Sequence, residues 1–236
     1  MRVNKTMSIR RITTLLLFIT LVACSCAHAL TVEQMDLFTS HCDEYLGQDN
    51  SLVLHPIISD SSLHVDVLLY KPTADLPYWK MVTMGASDYR MPVDDHYPFA
   101  DQYGDRNEYI VFIDGSEDLE NRDICFSYYR YLNMIAYYPP YAECLITYGH
   151  SCEWETDVGE EMAGAYLELP MIMEDVEFAF FELEPDHKIV ILQPVLLTRA
   201  EIDMLLTIGS EQFDYYLYPE DGRPHFLCEL KRSDKF

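Results

Sequence analysis

An apolar run that breaks abruptly into glycine and small polar residues constrains this chain most. It is YWKMVTMGASDYRMP, Tyr78 to Pro92. Its first half has the aromatic and β-branched content of a strand, and Gly85 ends it. Similar runs flank it. In SSLHVDVLLYKP, Leu63, Val65, Val67 and Leu69 alternate with His64, Asp66 and Leu68, and Pro72 closes the strand. In NEYIVFID, residues 107–114, a third strand is closed by Asp114-Gly115. Consecutive strands with short connections imply a sheet.

The other elements follow from periodicity and caps. TVEQMDLFTSHCDEYLG sets Val32, Met35, Phe38, Cys42 and Tyr45 near helical spacing, with Thr31 as N-cap and Gly47 as stop. ENRDICFSYYRYLNMIAYY does the same at Ile124, Tyr128, Tyr131, Leu132 and Ile135, and its helix is expected to stop at Pro139-Pro140. TRAEIDMLLTIG is a helix with Thr198 as N-cap, Glu201 as capping-box partner and Gly209 as stop, and SEQFDYYLYP adds a short final helix. AECLITYG, GAYLELP, EFAFFEL and KIVILQPVLL read as strands. Strands outnumber helices without strict alternation. That predicts an α+β fold, a mixed or antiparallel sheet with flanking helices, in one domain over residues 31–236.

The N-terminus reads as a targeting segment. Residues 1–11 are basic and Ile12 to Ala23 form an apolar run too short to span a bilayer permanently. This is the layout of a signal peptide over residues 1–23, followed by a tether over 24–30. Leu21-Val22-Ala23-Cys24 is similar to a bacterial lipobox, with Cys24 as the lipidated residue; Ala27-His28-Ala29 offers the alternative of ordinary cleavage and a secreted or periplasmic chain. Met7 is an alternative start, and a misassigned start on a cytoplasmic protein is the bland alternative.

Charge narrows the partners. Forty acids face 16 bases, a net of −24 over 236 residues. The first 29 residues hold four bases and no acid, so the remainder carries 12 bases against 40 acids, a net of −28. Such a surface excludes nucleic acid as a ligand, which needs a basic face, and suits a basic protein or peptide. Solubility alone is the plainer reading of the same charge.

Beyond residue 29 stand Cys42, Cys125, Cys144, Cys152 and Cys228, with no C-x-x-C spacing to suggest a zinc ribbon or a redox motif. Four could pair in an exported protein, and all could be buried free thiols.

Enzyme readings find little support. MGASDYRMP has one glycine and no lysine, so it lacks the parts of a phosphate loop, and no dinucleotide, serine-hydrolase or zinc-protease motif occurs. No cofactor is indicated. Asp94, Asp95 and His96 could hold a metal, but in an exposed loop such residues are ordinarily solvated, and no metal is expected. YGHSCEWE brings His150, Cys152, Glu153 and Glu155 close together. A Cys–His nucleophile pair needs facing side chains and an orienting third group, and none can be named. A strand-end turn in which His150 caps backbone groups is the simpler reading. An extracytoplasmic hydrolase using His150, Cys152 or a carboxylate pair stands as the alternative function.

Several pieces in order resemble the Suppressor-of-fused family, bacterial type. LHVDVLLYKP at 63–72 and YWKMVTMGASDYRMP at 78–92 are similar to its opening, where His-Val-Asp leads to Leu-Val-Thr-Met-Gly-Met-Ser and then Met-Pro. Met81 and Ala86 depart from that pattern. RNEYIVFID, the Gly149-His150 turn and ILQPVLLTRAEIDML at 191–205 follow in the family's order, so the resemblance spans roughly residues 50–215. It implies a non-catalytic protein-binding module that captures an extended peptide, and in bacteria an immunity protein that neutralises a toxin. A cationic nuclease toxin would suit the charge, although such toxins act in the cytoplasm and this chain reads as exported; a lipid-anchored form would meet one at the envelope. The motif positions it marks are Thr83, Met84, Gly85, Ser87, Asp88, Met91, Pro92, Gly149, His150, Gln193 and Pro194. Gly85 is expected to serve a tight turn, Ser87 or Asp88 to satisfy loop amides, and Arg90 and Arg106 to be paired internally.

Overall fold

The computed structural model describes residues 30–47, 50–55, 63–93, 97, 100–155, 162–185, 187–218 and 227–230. The leader with Cys24 and the Asp94-Asp95-His96 cluster lie outside them. Among the described residues no helix is long and apolar enough to cross a membrane.

Among the described residues nine strands form one mixed sheet. They are β1 (Asn50–Leu54), β2 (Asp66–Tyr70), β3 (Tyr78–Met84), β4 (Asn107–Asp114), β5 (Ser151–Glu153), β6 (Met162–Glu168), β7 (Phe180–Glu184), β8 (His187–Thr198) and β9 (Leu227–Cys228). The order is β1-β2-β3-β4-β8-β6-β5, with β7 also on β8 and β9 also on β4. Pairing is antiparallel except for β4 with β8 and β4 with β9. The helices are α1 (Val32–Leu46), α2 (Ala100–Tyr103), α3 (Arg122–Ala142), α4 (Arg199–Ile208) and α5 (Ser210–Leu217). The architecture is the α+β arrangement expected.

Both faces of the sheet are covered. Val67, Leu69, Met81, Val111 and Ile113 pack with Leu132 and Ile135 of α3 on one face. Leu68, Tyr70, Val82, Ile110 and Phe112 pack with Phe38, Cys42 and Leu46 of α1 on the other. The 63–70 alternation therefore separates two cores; Leu68 sits in the second and does not face solvent. Lys80, fully buried, crosses toward α1 and donates to the carbonyls of Leu46 (3.3 Å) and Lys71 (2.8 Å). That supplies positive charge at a helix C-terminus, where orphan carbonyls collect.

The capping boxes are made as chemistry suggests. Thr31 exchanges side-chain and backbone bonds with Gln34, and Thr198 does so with Glu201. Three expectations fail. α3 does not stop at Pro139-Pro140 but runs to Ala142, because Pro139 is buried in the core and Glu143, in the left-handed region at φ 49°, closes the helix by donating to the Pro139 carbonyl. AECLITYG is not a strand; it holds the end of α3 and a turn, and Ile146 is tied by its carbonyl to Asn107 Nδ2 at 2.9 Å. EFAFFEL is half right: a 3-10 turn, Val176–Ala179, precedes β7 because Asp175 caps it through the Glu177 N–H. All five described cysteines are free thiols, so the disulfide alternative does not hold.

Candidate functional site

The Gly85 corner is built around a carboxylate supplied by the neighbouring strand. Glu108 lies in β4, fully buried. Its Oε1 accepts from Gly85 N (2.8 Å), Ser87 N (3.0 Å) and Ser87 Oγ (2.7 Å). Its Oε2 accepts from Thr83 Oγ1 (2.6 Å) and Ala86 N (3.2 Å). Thr83 Oγ1 in turn accepts from Tyr109 N at 2.8 Å. Burial pushes the Glu108 carboxyl above its usual range, and the bonds from Thr83, Ser87 and Gly85 oppose that. The corner is thus an anion cradle whose anion is internal.

Glycine is required there. Gly85 sits at φ 110°, and a Cβ would stand 2.2 Å from the His64 carbonyl oxygen. The expected amide acceptors are corrected: Glu108, not Ser87 or Asp88, satisfies the loop amides. Asp88 Oδ2 instead accepts from Leu30 N at 3.0 Å. Arg106 Nη1 donates to the carbonyls of Ser87 (2.6 Å) and Asp88 (3.2 Å), and Arg90 pairs with Asp105 at 2.6 Å. Met91 is buried and bonds by its N–H to the Asp105 carbonyl, Met84 packs in the α1-side core, and Pro92 is exposed.

The remaining motif residues form a second group. Gly149 N donates to Leu167 O, and Leu167 N donates to His150 O, both at 2.9 Å. Leu167 stands opposite Pro194, and Glu168 opposite Gln193, which is fully buried. β8 leaves its ladder with β4 at Leu192 and is partnered by β6 from Gln193 on. Pro194 lies at this handover, where a strand tolerates a missing donor best.

His150 does cap backbone: Thr147 N donates to its Nδ1 at 3.2 Å, and burial lowers its pKa. The ring lines a cleft of about 500 Å³ with Tyr138, Cys144, Tyr166, Leu206 and Ser210. Cys152 points instead into the α3-side core, where burial pushes its thiol up to about 12. A buried, protonated thiol is the opposite of an activated nucleophile. A carboxylate pair that sequence reading passed over is Glu168 with Asp214. Tyr166 donates to Asp214 (2.9 Å) and Tyr218 to Glu168 (3.4 Å). Burial first, and then Asp214, raise Glu168 to about 8. Glu108 and Glu168 share one sequence signal, an acid inside an apolar strand.

A larger concavity lies elsewhere. A groove of about 980 Å³ runs between edge strand β1 and helix α3. Leu52, Val53 and Leu54 form one wall, Leu119, Cys125, Phe126 and Tyr129 the other, with Leu69 and Trp79 also lining it. Leu52 is 48% exposed and Phe126 62%. Its rim carries Lys71 and Arg122 beside Glu120 and Asp123, so the acidic net charge of the chain is not concentrated in this groove.

Residues 61–227 match the family model described as Suppressor of fused protein (SUFU). No curated protein sequence matches the chain. Among the solved structures that share the fold are three. A putative SUFU homolog from Neisseria gonorrhoeae aligns at TM-score 0.60 and 12% identity, covering 87% of this chain and 98% of that one. A chain in the crystal structure of the Sufu–Fu complex aligns at TM-score 0.59 and 11% identity, covering 85% of this chain and 91% of that one. Drosophila Suppressor of Fused aligns at 0.59 and 13%, covering 85% of this chain and 50% of that one.

Proposed function

Because this chain belongs to the Suppressor of fused protein family, we propose that it is a non-catalytic protein-binding module that captures an extended segment of a basic partner. The observation that carries this reading is the apolar groove beside β1. Among the described residues the strand ends the sheet, which offers a row of backbone groups to an added strand. Leu52 and Phe126 offer apolar anchors that a monomer gains nothing by exposing. A rim of two bases and two acids selects little by charge, whereas the net of −24 attracts a basic chain from a distance. A structural relative was solved with a protein partner, as the Sufu–Fu complex. The Cys–His form of the enzyme alternative is poorly served, since Cys152 and His150 point into different surroundings.

The finer reading is an immunity protein, exported and held at a bacterial membrane by a lipid on Cys24, that neutralises a cationic toxin. The test uses the chain from Leu30 to Phe236 as bait, with salt-stepped elution. The expected result is one basic protein released at moderate salt and lost from a Leu52→Asp/Phe126→Asp variant that melts like the parent. Equal capture by that variant, or no capture at low salt, rejects the groove as the binding surface.

A further inference from the structure

A cluster of metal-ligating side chains stands at the outer end of the sheet, where His55 also lines the groove. His55 follows β1 and His64 precedes β2. His55 Nδ1 lies 2.8 Å and His64 Nε2 2.9 Å from one oxygen, Asp66 Oδ1. The three ligand atoms lie within 4.8 Å of one another. We propose that His55, His64 and Asp66 form a binding site for a divalent transition-metal ion, with zinc the best fit.

Geometry supports it. Tetrahedral zinc with bonds of about 2.0–2.1 Å holds its ligand atoms roughly 3.3 Å apart. Both observed nitrogen–oxygen separations need open by only a few tenths of an ångström. The side chains are exposed to 65% at His55 and 43% at His64, so both rings can turn and solvent can deliver the ion. The Asp66 side chain is only 6% exposed and so provides a fixed anchor. Its backbone is set by pairing with Met84, and the His64 carbonyl is pressed against Gly85. Held ligands lose little freedom on binding.

Chemistry selects the ion. Two imidazoles and one carboxylate suit zinc and its first-row neighbours; calcium and magnesium prefer all-oxygen shells. Three protein ligands leave a fourth position to water. An ion there would tie the end of β1 to the start of β2. His55 also lines the groove, so a metal would stiffen the same edge strand; the metal site stands whether or not the groove binds a partner.

The test is titration of the metal-free full chain with zinc by calorimetry, and with cobalt(II) by visible absorption. One ion per chain is expected, with cobalt bands of tetrahedral intensity and no thiolate charge-transfer band. His55→Gln/His64→Gln should weaken zinc binding about 100-fold, since two of three ligands are gone, while leaving the urea unfolding midpoint unchanged. Asp66→Asn should weaken it as well, and millimolar calcium or magnesium should not compete. No binding by the parent, undiminished binding in the double variant, or a cobalt–thiolate band each overturns the proposal.

Discussion

Replacing Glu108 with glutamine tests whether the Gly85 corner is an internal anion site. The exchange keeps shape and removes the charge. The glutamine must place its amide nitrogen where one carboxylate oxygen stood. At the Oε1 position that nitrogen would meet two backbone N–H groups, of Gly85 and Ser87, which cannot turn away. At the Oε2 position it would meet one, of Ala86 at 3.2 Å, while the Thr83 hydroxyl can turn and accept. The second orientation wins and strands one buried N–H. An unsatisfied buried donor costs about 1–3 kcal/mol. The bonds kept at the other oxygen fall from charge-assisted to neutral strength, each losing roughly 1 kcal/mol. Relief from burying a charge offsets part of that, because desolvating a carboxylate costs several kcal/mol. The net expectation is a loss of about 2–4 kcal/mol, or roughly 5–15 °C in Tm for a chain of this size. Urea unfolding followed through Trp79 and Trp154 fluorescence measures it. A Glu108→Gln midpoint within about 0.5 kcal/mol of the parent would refute the cradle as a source of stability, because it would mean the five donors do not depend on the charge.

Gly85→Ala should cost more than about 3 kcal/mol, since a methyl group 2.2 Å from the His64 carbonyl requires the corner to open; a Tm within a few degrees of the parent overturns this. Glu168 should give the protein a pH dependence. Burial and Asp214 raise it from 4.5 to about 8, so between those values the folded chain holds a proton that the unfolded chain has released. Stability therefore falls as pH rises through that window, by at most about 5 kcal/mol from this group, and Glu168→Gln should flatten the slope between pH 5 and pH 8. An unchanged slope in the variant refutes the assignment.

What could be read before the structure was local. Thr31, Thr198, Glu201, Gly47 and Gly209 write helix ends into the chain because a cap is made by residues three or four apart. The strands 66–70, 78–84 and 107–114 were legible because their apolar runs are long enough to show a period. β1, β5 and β9 were not, because two to five residues carry no period and exist only through pairing with β2, β6 and β4. Pro139-Pro140 misled for a related reason: a proline penalty is local, but burial of Pro139 against the core is not.

The same division explains the site. Thr83, Gly85 and Ser87 were visible as a motif, while the partner that gives them meaning comes from another strand. Nothing in TMGAS states that its donors face an acid 21 to 25 residues away. The sign lay in NEYIVFID, where a carboxylate interrupts a run that burial would otherwise make wholly apolar. An acid in such a place must either be neutralised or be surrounded by donors, and the small polar corner next to it in the sheet is where those donors are. The groove carries no comparable sign. Leu52 and Phe126 are ordinary residues in sequence, and become candidates for recognition only because the fold leaves both exposed along one groove. Stability chemistry is therefore concentrated at Thr83, Gly85 and Ser87, and the groove proposed to meet a partner lies apart from them, so substitutions at Leu52 or Phe126 are expected to test binding without the loss of folding that substitutions at Thr83, Gly85 or Ser87 bring.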